Sequence, residues 1–177
     1  MRKQLLILMV ALLSTYSYSQ SYTQLYQDRA NLLLQSNINT LLTELANLGV
    51  KTTGSTQNNN AFTWLQNKYV SYGYNTSTTA TDLKIESQSF TYSGKTSKNI
   101  IVTKKGTKYP DTYVIICGHY DTIVGPGVND NGSGVAIILE MARLLKNVPT
   151  EYSIKFINFS GEEQGLLGSQ AYVTNIV

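Results

Sequence analysis

The chain holds one histidine, His119, and one cysteine, Cys117, two positions apart. His119 lies in Gly118-His119-Tyr120-Asp121, directly after the apolar run Tyr113–Cys117. A second polar cluster, Ser160-Gly161-Glu162-Glu163, follows the run Ser153–Phe159, and Asn129-Asp130-Asn131-Gly132-Ser133-Gly134 lies between the two. Four of the chain's 11 acidic residues and its only histidine therefore fall in three short segments. Carboxylates converging in a partly dry site repel one another, and their pKa values rise unless cations are present. Imidazole with carboxylates is a zinc-type ligand set, and two divalent cations would balance four negative charges. Taken singly, each piece also has a structural reading. A lone histidine can be satisfied within a core, Asp130, Asn131 and Ser133 can cap a helix, and the Glu162-Glu163 pair can be a solvated turn. Cys117 reads as an inert buried thiol.

The elements around these residues set whether the three segments meet. Tyr113–Cys117 is a continuous apolar run bounded by turn signals, the pattern of a strand buried on both faces. Gly132–Leu145 is apolar nearly all round, which predicts a well-buried helix. Ser153–Phe159 reads as a further strand, and the region from Gly165 to Val173 as the start of the next helix. Strand, helix, strand in this order implies a parallel pair with a right-handed crossover. Ligands of such sheets bind beyond the carboxyl ends of the strands, where His119, Asp121, Glu162 and Glu163 stand. Upstream, Leu25–Leu48 carries leucines at helical spacing (Leu34, Leu41, Leu45, Leu48) and stops at Gly49. Asn60 is placed to cap a second helix, whose stripe is Phe62, Leu65, Tyr69 and Val70 and which Gly73 ends. Leu83–Tyr92 and Ser97–Lys104 read as strands joined by a turn at Ser93-Gly94-Lys95.

Of the 177 residues, 42% are apolar and 14% charged, enough for one domain of ordinary size. A formal charge of +3 is too small for a nucleic-acid-binding tail, and the composition is not that of a disordered chain. The single cysteine excludes an intrachain disulfide and any cysteine-based zinc finger. Residues 1–19 have the pattern of a signal peptide: a basic Arg2-Lys3, an apolar Leu5–Leu13, and small residues Ser17 and Ser19 ahead of a cleavage point at Gln20. Nine apolar residues span only about 14 Å as a helix, roughly half of a bilayer core, so no membrane anchor is expected. The expected location is secreted or periplasmic.

The segments GHYDTIVGPGVNDNGSGVAIILEMARLL and IKFINFSGEEQGLLGSQAYV resemble the co-catalytic di-zinc aminopeptidases of metallopeptidase family twenty-eight. The likeness runs more weakly upstream through Asn99-Ile100-Ile101 to the helix near Asn60, over roughly residues 45–173. It implies an α/β fold of the zinc-exopeptidase type, a mixed, mainly parallel sheet between helices, truncated here after the first parallel strands. It implies residues 20–177 as the amino-terminal part of a zinc-peptidase catalytic domain. By position, His119 matches a ligand of one zinc, Asp130 the aspartate that bridges two Zn2+ ions, and Glu163 a carboxylate ligand of the other. Glu162 matches the general base that takes a proton from the attacking water. Asp121 matches the acidic residue, usually called catalytic, that orients the histidine ligand.

The resemblance thus implies a metallo-aminopeptidase acting on peptide or protein N-termini, with no nucleic-acid partner. Two alternatives remain: a glutaminyl-peptide cyclotransferase-like enzyme of the same fold, and a catalytically inactive remnant or binding domain. The family also uses an aspartate and a second histidine from later segments, which this chain lacks. Each zinc would keep one private ligand plus Asp130, against the three protein ligands typical of a catalytic zinc. The chain alone is therefore expected to bind zinc poorly, to be inactive, and to expose a sheet edge.

Overall fold

A computed structural model describes residues 23–175. The expected signal peptide and its cleavage point lie outside the described residues. The chain divides into two units, residues 1–31 and 32–177. In the first, helix α1 (Gln24–Ala30) is a short polar helix with no buried residue.

The second unit opens with α2 (Gln35–Asn47) and α3 (Thr56–Ser71). The single helical stretch expected over Leu25–Leu48 is two helices instead. Leu34 is extended, with φ −112° and ψ 126°, and flanks α2 from outside. Three consecutive leucines, Leu32 to Leu34, cannot share one helical face, and all three are exposed. Leu41 and Leu45, four apart, form the buried face. The cap of α3 is Ser55, not Asn60, because Ser55 accepts the backbone N–H of Asn58 and starts the helix a turn earlier. Phe62, Leu65 and Tyr69 are buried as expected, whereas Val70 is half exposed.

Strands β1 (Leu83–Tyr92) and β2 (Lys95–Lys104) form a hairpin through the two-residue turn Ser93-Gly94, with Tyr92 opposite Lys95. Then come β3 (Tyr109–His119), α4 (Gly134–Leu145), β4 (Tyr152–Phe159) and α5 (Leu167–Thr174). The sheet order is β1-β2-β4-β3. It is a mixed sheet flanked by helices; β1–β2 and β2–β4 are antiparallel, and β3–β4 is the parallel pair that α4 joins.

The period-two alternation of strands sorts the core onto two faces. Ile100, Val102 and Phe156 pack with Leu41, Leu45, Leu65, Tyr69, Val135 and Leu139 on the side of α2, α3 and α4. Ile101 and Ile157 meet Tyr172 of α5 on the other. Each fully buried large apolar side chain here contributes about 1.5–3 kcal/mol.

Two burial expectations are overturned. β3 lies at the edge of the described sheet, so Tyr113, Val114 and Ile115 are 43–50% exposed and Cys117 is exposed rather than buried. In α4, Ile137 is 54% exposed while Glu140 is buried and paired twice with Arg143, at 2.8 and 2.7 Å. The helix packs against the sheet on one side only, which an all-apolar pattern does not reveal.

Candidate metal centre

The parallel pairing of β3 with β4 brings the two polar loops side by side. His119 is opposite Phe159, and the Tyr120 N–H donates to the Phe159 carbonyl at 2.9 Å, one step beyond the strand. Asp121 then crosses to the second loop. Fully buried, its Oδ1 accepts the Glu162 N–H and its Oδ2 the Glu163 N–H, each at 3.2 Å. Burial pushes the Asp121 carboxyl above the usual carboxylate range, against the pull of those two N–H groups and of His119. Thr53 adds a third tie, its hydroxyl lying 3.4 Å from Asp121 Oδ2 and in short contact with Gln164 Oε1.

His119 is buried, and its Nδ1 lies 3.1 Å from the Asp121 carbonyl. A carbonyl only accepts, so Nδ1 carries the hydrogen and Nε2 is the nitrogen presented to the site. Nε2 lies 3.0 Å from Asp130 Oδ1 and 3.8 Å from Glu162 Oε2. The Asp121 carboxylate is 3.7 Å from Nδ1, so the hydrogen bond that turns the ring comes from the backbone of Asp121 and not from its side chain.

Asp130 reaches His119 from the segment Val128–Ser133, where Asp130 and Asn131 leave helical geometry (φ −107°, ψ 102° and φ −121°, ψ 40°) and the peptide between them is cis. Asn131 takes the capping role, its Oδ1 accepting the Gly134 N–H at 3.1 Å. Asp130 is thereby left for His119, with its side chain 76% exposed on the solvent side. Gly127 turns the chain into this segment at φ 60°. A Cβ there would meet Thr122 Cγ2 at 2.2 Å and the Asp130 carbonyl at 2.5 Å, so only glycine fits.

His119, Asp130 and Glu162 thus come together. Glu163 is tied by its backbone and forms no ion pair among the described residues. Its carboxyl is held above the usual range, first by burial, with His119 opposing and the charges of Asp130, Asp121 and Glu162 adding to the rise. Among the described residues no three His, Cys, Asp or Glu side chains are grouped closely enough to hold a metal ion. The donor chemistry still fits a divalent cation. A bare imidazole nitrogen and an exposed carboxylate oxygen stand 3.0 Å apart, a separation open to two ligands of one tetrahedral zinc, each about 2 Å from the ion.

Behind the site lies a buried polar network absent from the motif-based reading. Asn58 Nδ2 donates to Ser160 Oγ at 2.9 Å, and Ser97 Oγ to Asn58 Oδ1 at 2.7 Å. Asn99 Oδ1 accepts the Ser160 N–H at 3.1 Å, while its Nδ2 donates to the Gly168 carbonyl at 2.8 Å. The visible signal is the polar stretch from Thr52 to Asn60, and a sequence does not display that Thr53 and Asn58 are its buried members.

Residues 99–176 match the model of peptidase family M28. Over those residues, the chain has the sequence pattern of peptidase family M28. The M28 segment contains all five residues singled out above. Aminopeptidase YwaD of Bacillus subtilis is 50% identical over 88 residues, covering 48% of this chain and 19% of the relative. A probable zinc metalloprotease of Pyrenophora teres f. teres is 32% identical over 155 residues, 75% of this chain and 32% of the relative, so likeness reaches upstream of the M28 match. In three dimensions, the LapA aminopeptidase of Legionella pneumophila superposes with a TM-score of 0.72 at 25% identity, over 89% of this chain and 42% of that one. The chain spans about a fifth of the length of the first curated relatives it matches.

Proposed function

We propose that this chain is the amino-terminal share of an exported, zinc-dependent aminopeptidase that removes N-terminal residues from peptides. The observation that carries the reading is the presentation of His119 Nε2 to Asp130 and Glu162 at the carboxyl ends of two parallel strands. His119 and Asp130, with Glu163, would hold metal. Bound zinc supplies Lewis acidity, polarising the scissile carbonyl and lowering the pKa of a bound water. Glu162, 39% exposed and 3.8 Å from His119, is free to take the proton of the attacking water and deliver it to the leaving amine. Asp121 fixes Glu162 and Glu163 through their backbone N–H groups, so the base and its neighbour keep separate directions. The ligand deficit, one histidine in the whole chain, supports placing the remaining ligands in a longer protein.

The test uses that longer protein, assayed on peptides with free and with acetylated N-termini, before and after chelation and with zinc restored. Zinc-restored release of N-terminal residues from free-amine peptides alone is the expected result. Cyclisation of N-terminal glutamine without hydrolysis would favour the cyclotransferase alternative, and no turnover with full metal content would favour an inactive domain.

The Arg2-Lys3 and Leu5–Leu13 pattern supports export. No helix among the described residues is long and apolar enough to cross a membrane. Intact-mass measurement of the secreted protein should show a chain beginning at Gln20; a retained Met1 would contradict export with cleavage.

A further inference from the structure

Lys51 is one of the largest fully buried side chains, yet it forms no ion pair among the described residues. Its ammonium donates to the carbonyls of Gly49, at 3.1 Å, and of Pro126, at 2.7 Å. Its backbone binds the same loop again: the Lys51 N–H donates to Thr122 Oγ1 at 2.9 Å, and its carbonyl accepts the Thr122 N–H at 3.3 Å. Lys51 therefore grips both ends of Thr122–Pro126, the stretch that leads from Asp121 toward Asp130. The far end is closed by the Gly132 N–H on the Gly127 carbonyl at 2.9 Å. Burying an unpaired ammonium is costly, and an apolar side chain of similar length would fill the space without that cost. What lysine adds is two directed donors. The other buried lysine, Lys104, serves Thr150 instead and has no such link to the site.

We propose that Lys51 is a positioning residue that sets the place of Asp130 against His119 by holding the Thr122–Gly127 loop from beneath. Its consequence for metal rests on the function proposed above, while its geometry does not. Lys51→Met keeps the stem and removes the donors; Lys51→Arg restores donors.

Hydrogen exchange on the metal-free full chain reads the geometry. In Lys51→Met, the Thr122 and Gly132 amides should lose protection by tenfold or more while β2 and β4 amides stay as in wild type, and Lys51→Arg should return to within about threefold. Zinc titration of the longer protein that carries the remaining ligands reads the consequence, with Lys51→Met at least tenfold weaker than wild type and Lys51→Arg recovering most of it. Unchanged loop protection in Lys51→Met would overturn the proposal. So would loss spread evenly over the sheet, or an arginine variant no better than methionine. If the wild-type longer protein binds no zinc but the loop amides respond as stated, the positioning role stands and the metal reading fails.

Discussion

Glu162 and Asp130 both lie beside His119 Nε2, but their substitutions should separate proton transfer from metal holding. In the complete enzyme, Glu162→Gln keeps the shape and removes only the proton acceptor. Turnover should fall by roughly 10²–10⁴-fold with zinc content nearly unchanged. Asp130→Ala should lose metal and activity together, because among the described residues only Asp130 and Glu162 pair with Nε2. Metal analysis beside a kinetic assay checks both, and near-normal turnover in Glu162→Gln would remove it as the base.

At the scale of elements, the position of the Glu162-Glu163 loop depends on how closely α5 approaches it. Gly168 in the first turn of α5 has no room for a side chain. A Cβ would meet the Ser160 carbonyl at 2.1 Å and Asn99 Oδ1 at 2.4 Å, one of them backbone and the other on an amide pinned by three hydrogen bonds. Gly168→Ala should therefore destabilise the fold by about 1–3 kcal/mol despite alanine's higher helix propensity. Leu65→Ala, a cavity change in α3 on the opposite face of the sheet, should cost about 2–5 kcal/mol without touching the loop. Urea unfolding of the two variants checks both, and a neutral Gly168→Ala would show that α5 can shift freely.

For the molecule as a whole, burial of titratable groups sets an alkaline stability profile. Burial lowers the pKa of Lys51 and Lys104 below that of ordinary lysine, with the charge of Asp121 partly restoring Lys51. Between their folded values and the unfolded value near 10.4, the unfolded chain binds more protons, so stability rises with pH. Burial also raises the phenols of Tyr69, Tyr74 and Tyr120 and pushes Tyr72 up to about 12. From about pH 10 the unfolded tyrosines ionise while the folded ones keep their protons, and stability falls. The urea midpoint should thus peak near pH 10, and Lys104→Met should flatten the rising limb; a midpoint falling steadily from pH 8 would contradict this. The edge strand β3 has a separate consequence. Its half-exposed Val114 and Ile115 invite pairing with another copy. Sedimentation should show concentration-dependent association of this chain, reduced in Ile115→Glu, whose carboxylate would face Lys155 on the neighbouring strand.

The sequence by itself determined what depends on near neighbours. The β1–β2 hairpin follows from two strand patterns around Ser93-Gly94, and the strand–helix–strand order from three apolar runs and their punctuation. The placement of His119 at the end of one strand, and of Asp121, Glu162 and Glu163 beyond the ends of two, follows from that order. Tertiary structure decided what depends on which face is covered. The same apolar texture led to a buried β3 and a buried Ile137; the sheet order puts one at an edge, and packing on a single side exposes the other. Lys51 shows the converse, since nothing within a few residues marks it as buried; its carbonyl partner at Pro126 lies 75 residues away. Asp121 binds the Glu162 and Glu163 amides across 41 and 42 residues. Burial and long-range hydrogen bonding belong to the packed chain, and a local pattern carries no record of what will be packed against it.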